Sequence, residues 1–200
     1  QYKKTIAFES KTPEGVLTKM EKEVDDYYVP HNPDEYVIII VDHAKLLQTE
    51  SGHDLRDTIG KLSSDYLITM RNKWNYIPVL IQQQAASQES NENAKFDKLR
   101  PTLDGLGDNK TTQQDANIIL GLFSPFRHKI ATYEGYNVTK FKDHIRFLEI
   151  LGGREGGGGI VCPLYFDGAV NYFRELPLPD KVDELNLVYK KIEDMYKIIT

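Results

Sequence analysis

The chain has 200 residues, 40% of them apolar and 28% charged, with a net charge of −5. That is the make-up of one globular domain with room for an appendage, and it excludes a chain that grips nucleic acid through an overall basic field. The single cysteine, Cys162, excludes an internal disulfide framework and fits a reducing, cytoplasmic setting, while no apolar run reaches membrane-spanning length and no membrane partner is expected.

In chain order, "TIAFE" (5–9) alternates as a short strand does. "TPEGVLTKMEKEV" (12–24) opens as a helix, with Thr12 as N-cap, Pro13 at the first helical position and Glu14 near the positive end of the dipole. "VPHNPDE" (29–35) is a Pro-punctuated loop. The run "YVIIIVD" (36–42) lacks polar alternation, the pattern of a strand covered on both faces, and it ends on Asp42. A carboxylate there stands where open α/β sheets bind ligands; it is equally the residue that caps a following helix, and the stretch alone does not choose.

From Asp54 to Trp74 the apolar residues Leu55, Ile59, Leu62, Tyr66, Met70 and Trp74 mark one helical face. "YIPVLIQQQ" (76–84) is a second buried strand ending in three glutamines. Residues 85–114 turn polar, a length of weakly structured chain that is usually functional or mobile. "ANIILGLFS" (116–124) reads as a third buried strand, and 125–144 as an aromatic, basic loop region. "IRFLEIL" (145–151) and "IVCPLYFD" (160–167) flank a glycine cluster as an antiparallel hairpin, the second at a sheet edge because Pro163 has no N–H to give. Residues 182–199 place Val182, Leu185, Val188, Ile192, Met195 and Ile199 on one helical stripe, the mark of a terminal helix docked on its own domain or of a partner-binding one. Strand–helix–strand alternation up to residue 84 predicts an α/β parallel sheet.

Several chemistries are absent. The five histidines (31, 43, 53, 128, 144) lack metal-ligand spacing, and no G-x-S-x-G elbow occurs. The run "GGREGGGG" (152–159) fits neither G-x-x-x-x-G-K-[ST] nor a strand-to-helix G-x-G-x-x-G and reads as a flexible turn. Arg154 within it has the planar fork that suits reaching a phosphate across an interface.

A strand followed by Asp42, a strand followed by glutamines 82–84, and Arg154 on a glycine loop stand in the order of the second half of a RecA-type ATPase. The chain resembles the C-terminal motor domain of DnaB-family replicative helicases over about residues 5–176. "VIIIVDHAKLL" is similar to that family's Walker B strand, "IPVLIQQQAAS" to its Pro-Val stretch ending in Ser-x-Gln, and "LGGREGGGG" to its arginine-finger segment. "LYFDG" resembles the closing Phe-Asn-Gly hairpin. The most specific match is "RPTLDGLGDNKTTQQDANIIL" (100–120), which resembles Arg-Pro, a DNA-facing loop and Gln-Asp-Ala-Asp without a gap.

The resemblance implies a RecA-like, P-loop-NTPase-type fold. Its mostly parallel sheet would be flanked by helices, with a partial core and a C-terminal antiparallel hairpin. It implies a motor domain over 1–176 and an amphipathic helical tail over 177–200. ATP and Mg²⁺ are the implied cofactors, and single-stranded DNA and a homo-oligomeric ring, a hexamer, the implied partners. By the same resemblance Asp42 holds the Mg²⁺ shell through water, Gln84 senses the γ-phosphate, and Arg154 acts in trans on the neighbouring subunit's nucleotide. Gly107, Asp108 and Lys110 face DNA phosphates.

The departures are as specific as the matches. Gly152 stands where the family has a lysine two residues before the finger, Leu-Gly-Asp (106–108) replaces Leu-Arg-Glu, and His43 replaces tyrosine. Neither the P-loop lysine nor the glutamate that positions the attacking water is found. The chain is therefore expected to be a piece of a longer helicase, inactive alone. The alternative is a catalytically inert oligomerisation or DNA-binding module of the same fold.

Overall fold

The computed structural model describes residues 12–20, 22, 24, 26, 34–49, 52, 54–84, 99–106 and 110–199. The expected strand at 5–9, most of the polar stretch 85–114, and both Gly107 and Asp108 lie outside them. The chain divides into two compact units, Gln1–Ala85 with Leu106–Ala116, and Ala86–Gly105 with Asn117–Thr200.

In the first unit, helix α1 (Pro13–Met20) starts as its sequence dictates: the Gly15 N–H donates to Thr12 Oγ1 at 3.1 Å. Strand β1 (Ile38–Val41) pairs in parallel with β2 (Ile77–Leu80), in the register Ile38↔Ile77 to Val41↔Leu80. They are joined by α2 (residues 55–74), an α-helical Leu55–Lys61, a π-helical Leu62–Leu67 and an α-helical Ile68–Trp74 in succession. Asp54 caps α2, accepting from the Asp57 N–H at 2.8 Å, and Asn75 ends it in the left-handed conformation at φ 56°. The π turn explains the spacing of the stripe. Three successive steps of four residues, Leu62 to Tyr66 to Met70 to Trp74, would drift about 40° each around an α-helix. A looser i→i+5 turn takes up part of that drift. Ile59, Leu62 and Met70 are buried with Ile39, Ala44, Leu47 and Tyr76, and Leu55, Tyr66 and Trp74 pack against them. The short helix α3 (Lys110–Asp115) completes this unit.

The second unit corrects the expected fold class. Strand β3 (Ile118–Phe123) does not extend the parallel sheet. It pairs antiparallel with β6 (Ile145–Gly153), which pairs with β7 (Val161–Asp167), and that with β8 (Tyr172–Glu175). Between β3 and β6 lie a two-residue hairpin, β4 (Thr132–Tyr133) and β5 (Tyr136–Asn137), and helix α4 (Val138–Phe141). Six of the eight described strands are thus antiparallel, and the mostly parallel sheet is not found. An unbroken apolar run is compatible with either strand direction, so 116–124 could not reveal its own.

Coverage of both faces also fails. Ile38 and Ile40 on β1 are 50% and 64% exposed, and Ile118, Leu120 and Leu122 on β3 exceed one half. Pro163 lies on an interior strand rather than an edge. Its carbonyl accepts from the Leu176 N–H at 2.9 Å, one residue past the end of β8. The missing N–H faces the same side, where the ladder has already stopped.

The core of this unit is aromatic: Phe123, Tyr136, Phe141 and Phe147 are buried with Val138, Ile145, Leu185 and Ile192. Helix α5 (Val182–Ile199) contributes Leu185 and Ile192 and docks on its own unit, leaving Val182 exposed. Glu149 is buried on β6, and Tyr133 donates to its Oε1 at 2.5 Å. Burial and the Glu149 carboxylate together push the Tyr133 phenol well above its ordinary value. Gly121 on β3 is required for a different reason: a Cβ there would lie 2.5 Å from Pro101 Cβ and 3.1 Å from Leu151 Cδ1. No described helix is long and apolar enough to cross a membrane.

Candidate functional site

The first unit builds a rim at the carboxyl ends of its two parallel strands. The pairing continues past the strands themselves: the Ile81 N–H donates to the Val41 carbonyl and the Ala44 N–H to the Ile81 carbonyl, both at 3.0 Å. This zipper brings the segment Asp42–Lys45 against Ile81–Gln84. Lys45 Nζ donates to Gln83 Oε1 at 3.3 Å across it. Asp42 is exposed, and it is not used as a helix cap; the 3-10 turn Ala44–Leu46 starts from His43, whose side chain makes no capping bond.

Two polar atoms at this rim are buried without a hydrogen-bond partner among the described residues, His43 Nδ1 and Gln84 Nε2. A buried polar atom left without any partner costs about 1–3 kcal/mol, so each is a position where a partner outside the described residues, water or a ligand would be favoured. The rim gathers one exposed carboxylate, a lysine bonded to a glutamine, and two side-chain nitrogens without a partner among the described residues.

Among the described residues no group of three or more His, Cys, Asp or Glu gathers to hold a metal by itself. Asp42 stands at the rim as a single exposed carboxylate. The residues do not fit a protein-built metal cage.

Of the residues singled out by sequence, Asp42 and Gln84 come to the same rim. Lys110 is exposed in the same unit, as the first residue of α3. Arg154 belongs to the second unit, just past β6 at the tip of the β6–β7 hairpin. Its N–H donates to the Asn117 carbonyl at 3.0 Å, and Gly156, Gly157 and Gly159 supply φ values of +86° to +89° around the turn. The glycine run is thus a built hairpin rather than a phosphate cradle, and it presents an exposed arginine.

Sequence reasoning missed a cluster on α2 and α3. Asp115 Oδ2 accepts from both Ser63 Oγ and Ser64 Oγ at 2.8 Å, and the Asp115 carbonyl accepts from Arg71 Nη1 at 2.9 Å. The only signal was the Gln-Asp pair closing the 100–120 match; nothing in the helical stripe, which is read from apolar residues, marked the serines.

Known structures share this architecture. A solved ATPase domain matches with a TM-score of 0.66 at 20% identity, over 84% of this chain and 52% of that one. A DnaB-like replicative helicase, solved to describe its interactions with primase, matches with the same TM-score and identity, over 84% of this chain and 36% of its own. The chain shares its fold with these two solved domains. At this identity the fold is what is shared. The chain spans about half of the first structure and little more than a third of the second. No family model and no curated protein matches the sequence.

Proposed function

We propose that the chain is a single-strand DNA-binding and assembly module with the fold of a helicase ATPase domain, and that by itself it turns over no nucleotide. The observation that carries this reading is a fold shared over 84% of the chain with a replicative helicase, in a sequence without a P-loop lysine. Gly107, Asp108 and Lys110 are its DNA-facing residues. Main-chain groups and a lysine there would grip phosphates, a contact that is indifferent to sequence and sensitive to salt. The likeness to a replicative helicase supports self-association as the mode of assembly, a hexameric ring in the fullest form of the proposal.

A second reading is favoured by the rim: within a longer protein the chain serves as the second half of a ring helicase motor. Asp42 would then hold the water shell of Mg²⁺, and Gln84, whose amide nitrogen has no partner among the described residues, would meet the γ-phosphate of ATP. The nucleotide and its metal supply the phosphoryl group and the charge neutralisation. The chain's own part is to orient that group and to lend Arg154 to the neighbouring subunit's nucleotide, a contribution of about 10³–10⁵ in rate in enzymes that use such fingers.

Fluorescence anisotropy of the purified chain with labelled oligo-dT, beside phosphate release in ATP and Mg²⁺, tests the first reading. DNA binding without phosphate release is expected. Phosphate release from the chain alone would refute the inert module, and no binding even at low salt would remove the DNA assignment.

A further inference from the structure

We infer that Asp115 is a positioning residue: a latch to Ser63, Ser64 and Arg71 that sets where α3, and with it Lys110, stands for DNA phosphates. This rests on the DNA-binding reading above and deepens it.

The geometry is specific. One carboxylate oxygen, Asp115 Oδ2, receives hydroxyls from two neighbouring residues at 2.8 Å each, while the main-chain oxygen of the same residue is taken by the Arg71 guanidinium at 2.9 Å. Bonds to an ionised acceptor are about twice as strong as neutral ones, so this end of α3 is held by charge as well as shape. Consecutive side chains on an α-helix point about 100° apart and do not ordinarily converge on one atom. Here both serines lie in the π-helical stretch Leu62–Leu67, whose looser i→i+5 winding separates successive side chains by a smaller angle. Returning that stretch to α winding would swing one hydroxyl away from Asp115, so the latch and the π turn depend on each other. Thr112, in the middle of α3, is buried. Lys110 sits at the far, exposed end, five residues from the anchored carboxylate.

α2 also runs on through Asn75 into β2 and the glutamines at the rim. One helix therefore bears both the anchor of the DNA-facing segment and the lead-in to Gln84, an arrangement suited to transmitting a change at either end.

The test is a double-mutant cycle on oligo-dT affinity with Asp115→Asn, Lys110→Ala and the pair. If Asp115 acts through Lys110, each single variant weakens binding by a similar factor, about five- to tenfold at low salt, and the pair is no weaker than Lys110→Ala alone. Losses that add, or Asp115→Asn binding like wild type while Lys110→Ala is weakened, overturn the latch and leave the DNA assignment standing. Wild-type binding by Lys110→Ala removes Lys110 from the DNA contact, and the latch with it. Should Asp115→Asn fail to fold, Ser64→Ala replaces it in the cycle. Its loss should be smaller and restored by Ser64→Thr, which returns the hydroxyl; no loss in Ser64→Ala, or none restored by threonine, overturns the inference.

Discussion

At the scale of single residues, charge on Glu14 illustrates how local pairing becomes a pH dependence. Lys61 Nζ lies 2.5 Å from Glu14 Oε1, and the Tyr66 hydroxyl donates to the same oxygen at 2.9 Å. Chiefly the Lys61 contact holds the carboxyl down to about 2, from an ordinary value of 4.5. A carboxyl depressed in the folded state adds stability that is fully present above its unfolded value and fades as pH falls through the folded one. Thermal melts of wild type should therefore lose, between pH 4.5 and about 2, an increment that Glu14→Gln lacks. Because both partners are substantially exposed, the increment is small and shrinks further in high salt. At the rim, Asp42→Asn in the complete protein is expected to abolish nearly all Mg²⁺-dependent turnover under the motor reading. Turnover at the wild-type rate would take Asp42 out of that site.

At the scale of elements, what the sequence disclosed follows from which signals are local. Thr12 and Pro13 opened α1 because capping is decided within one turn. The stripe from Leu55 to Trp74 named the buried face of α2, and its steps of four already held the π turn, although apolar periodicity alone does not distinguish a loosened helix from a drifting stripe. The β6–β7 hairpin was legible from its glycines. Strand direction was not: Ile118–Phe123 is as apolar in an antiparallel ladder as in a parallel one, and its partner begins only at Ile145, beyond β4, β5 and α4. Of the rim, Asp42 could be singled out as a carboxylate at a strand end, and Gln84 through the family resemblance. The burial of His43 Nδ1, without a partner among the described residues, the Lys45–Gln83 bond and the Asp115 cluster could not, since each depends on contacts between distant segments. Gly121 carries a sharp element-level test. With Pro101 lying where its side chain would be, Gly121→Ala should destabilise the chain by about 1–3 kcal/mol, the usual cost of overpacking, read from urea midpoints. An unchanged midpoint would mean that Pro101 is free to move away.

At the scale of the whole molecule, two units divide the candidate chemistry, with Asp42, Gln84 and Lys110 in the first and Arg154 in the second. A trans role for Arg154 requires self-association. Under the motor reading, within a longer protein, Arg154→Ala should leave nucleotide binding nearly intact and lower hydrolysis by orders of magnitude, with mixtures of variant and wild type losing activity out of proportion to the variant's share. Linear dilution of the wild-type rate would argue against a shared site. The net charge of −5 places a further demand on the account: DNA affinity has to come from a local contact rather than from the overall field. The salt dependence of oligo-dT binding reads that contact directly. For wild type and Lys110→Ala, the slope of log K against log salt is predicted to differ by about one phosphate contact, with the variant shallower and weaker at every salt concentration. Equal slopes and equal affinities would contradict the claim that this segment is where the chain holds single-stranded DNA.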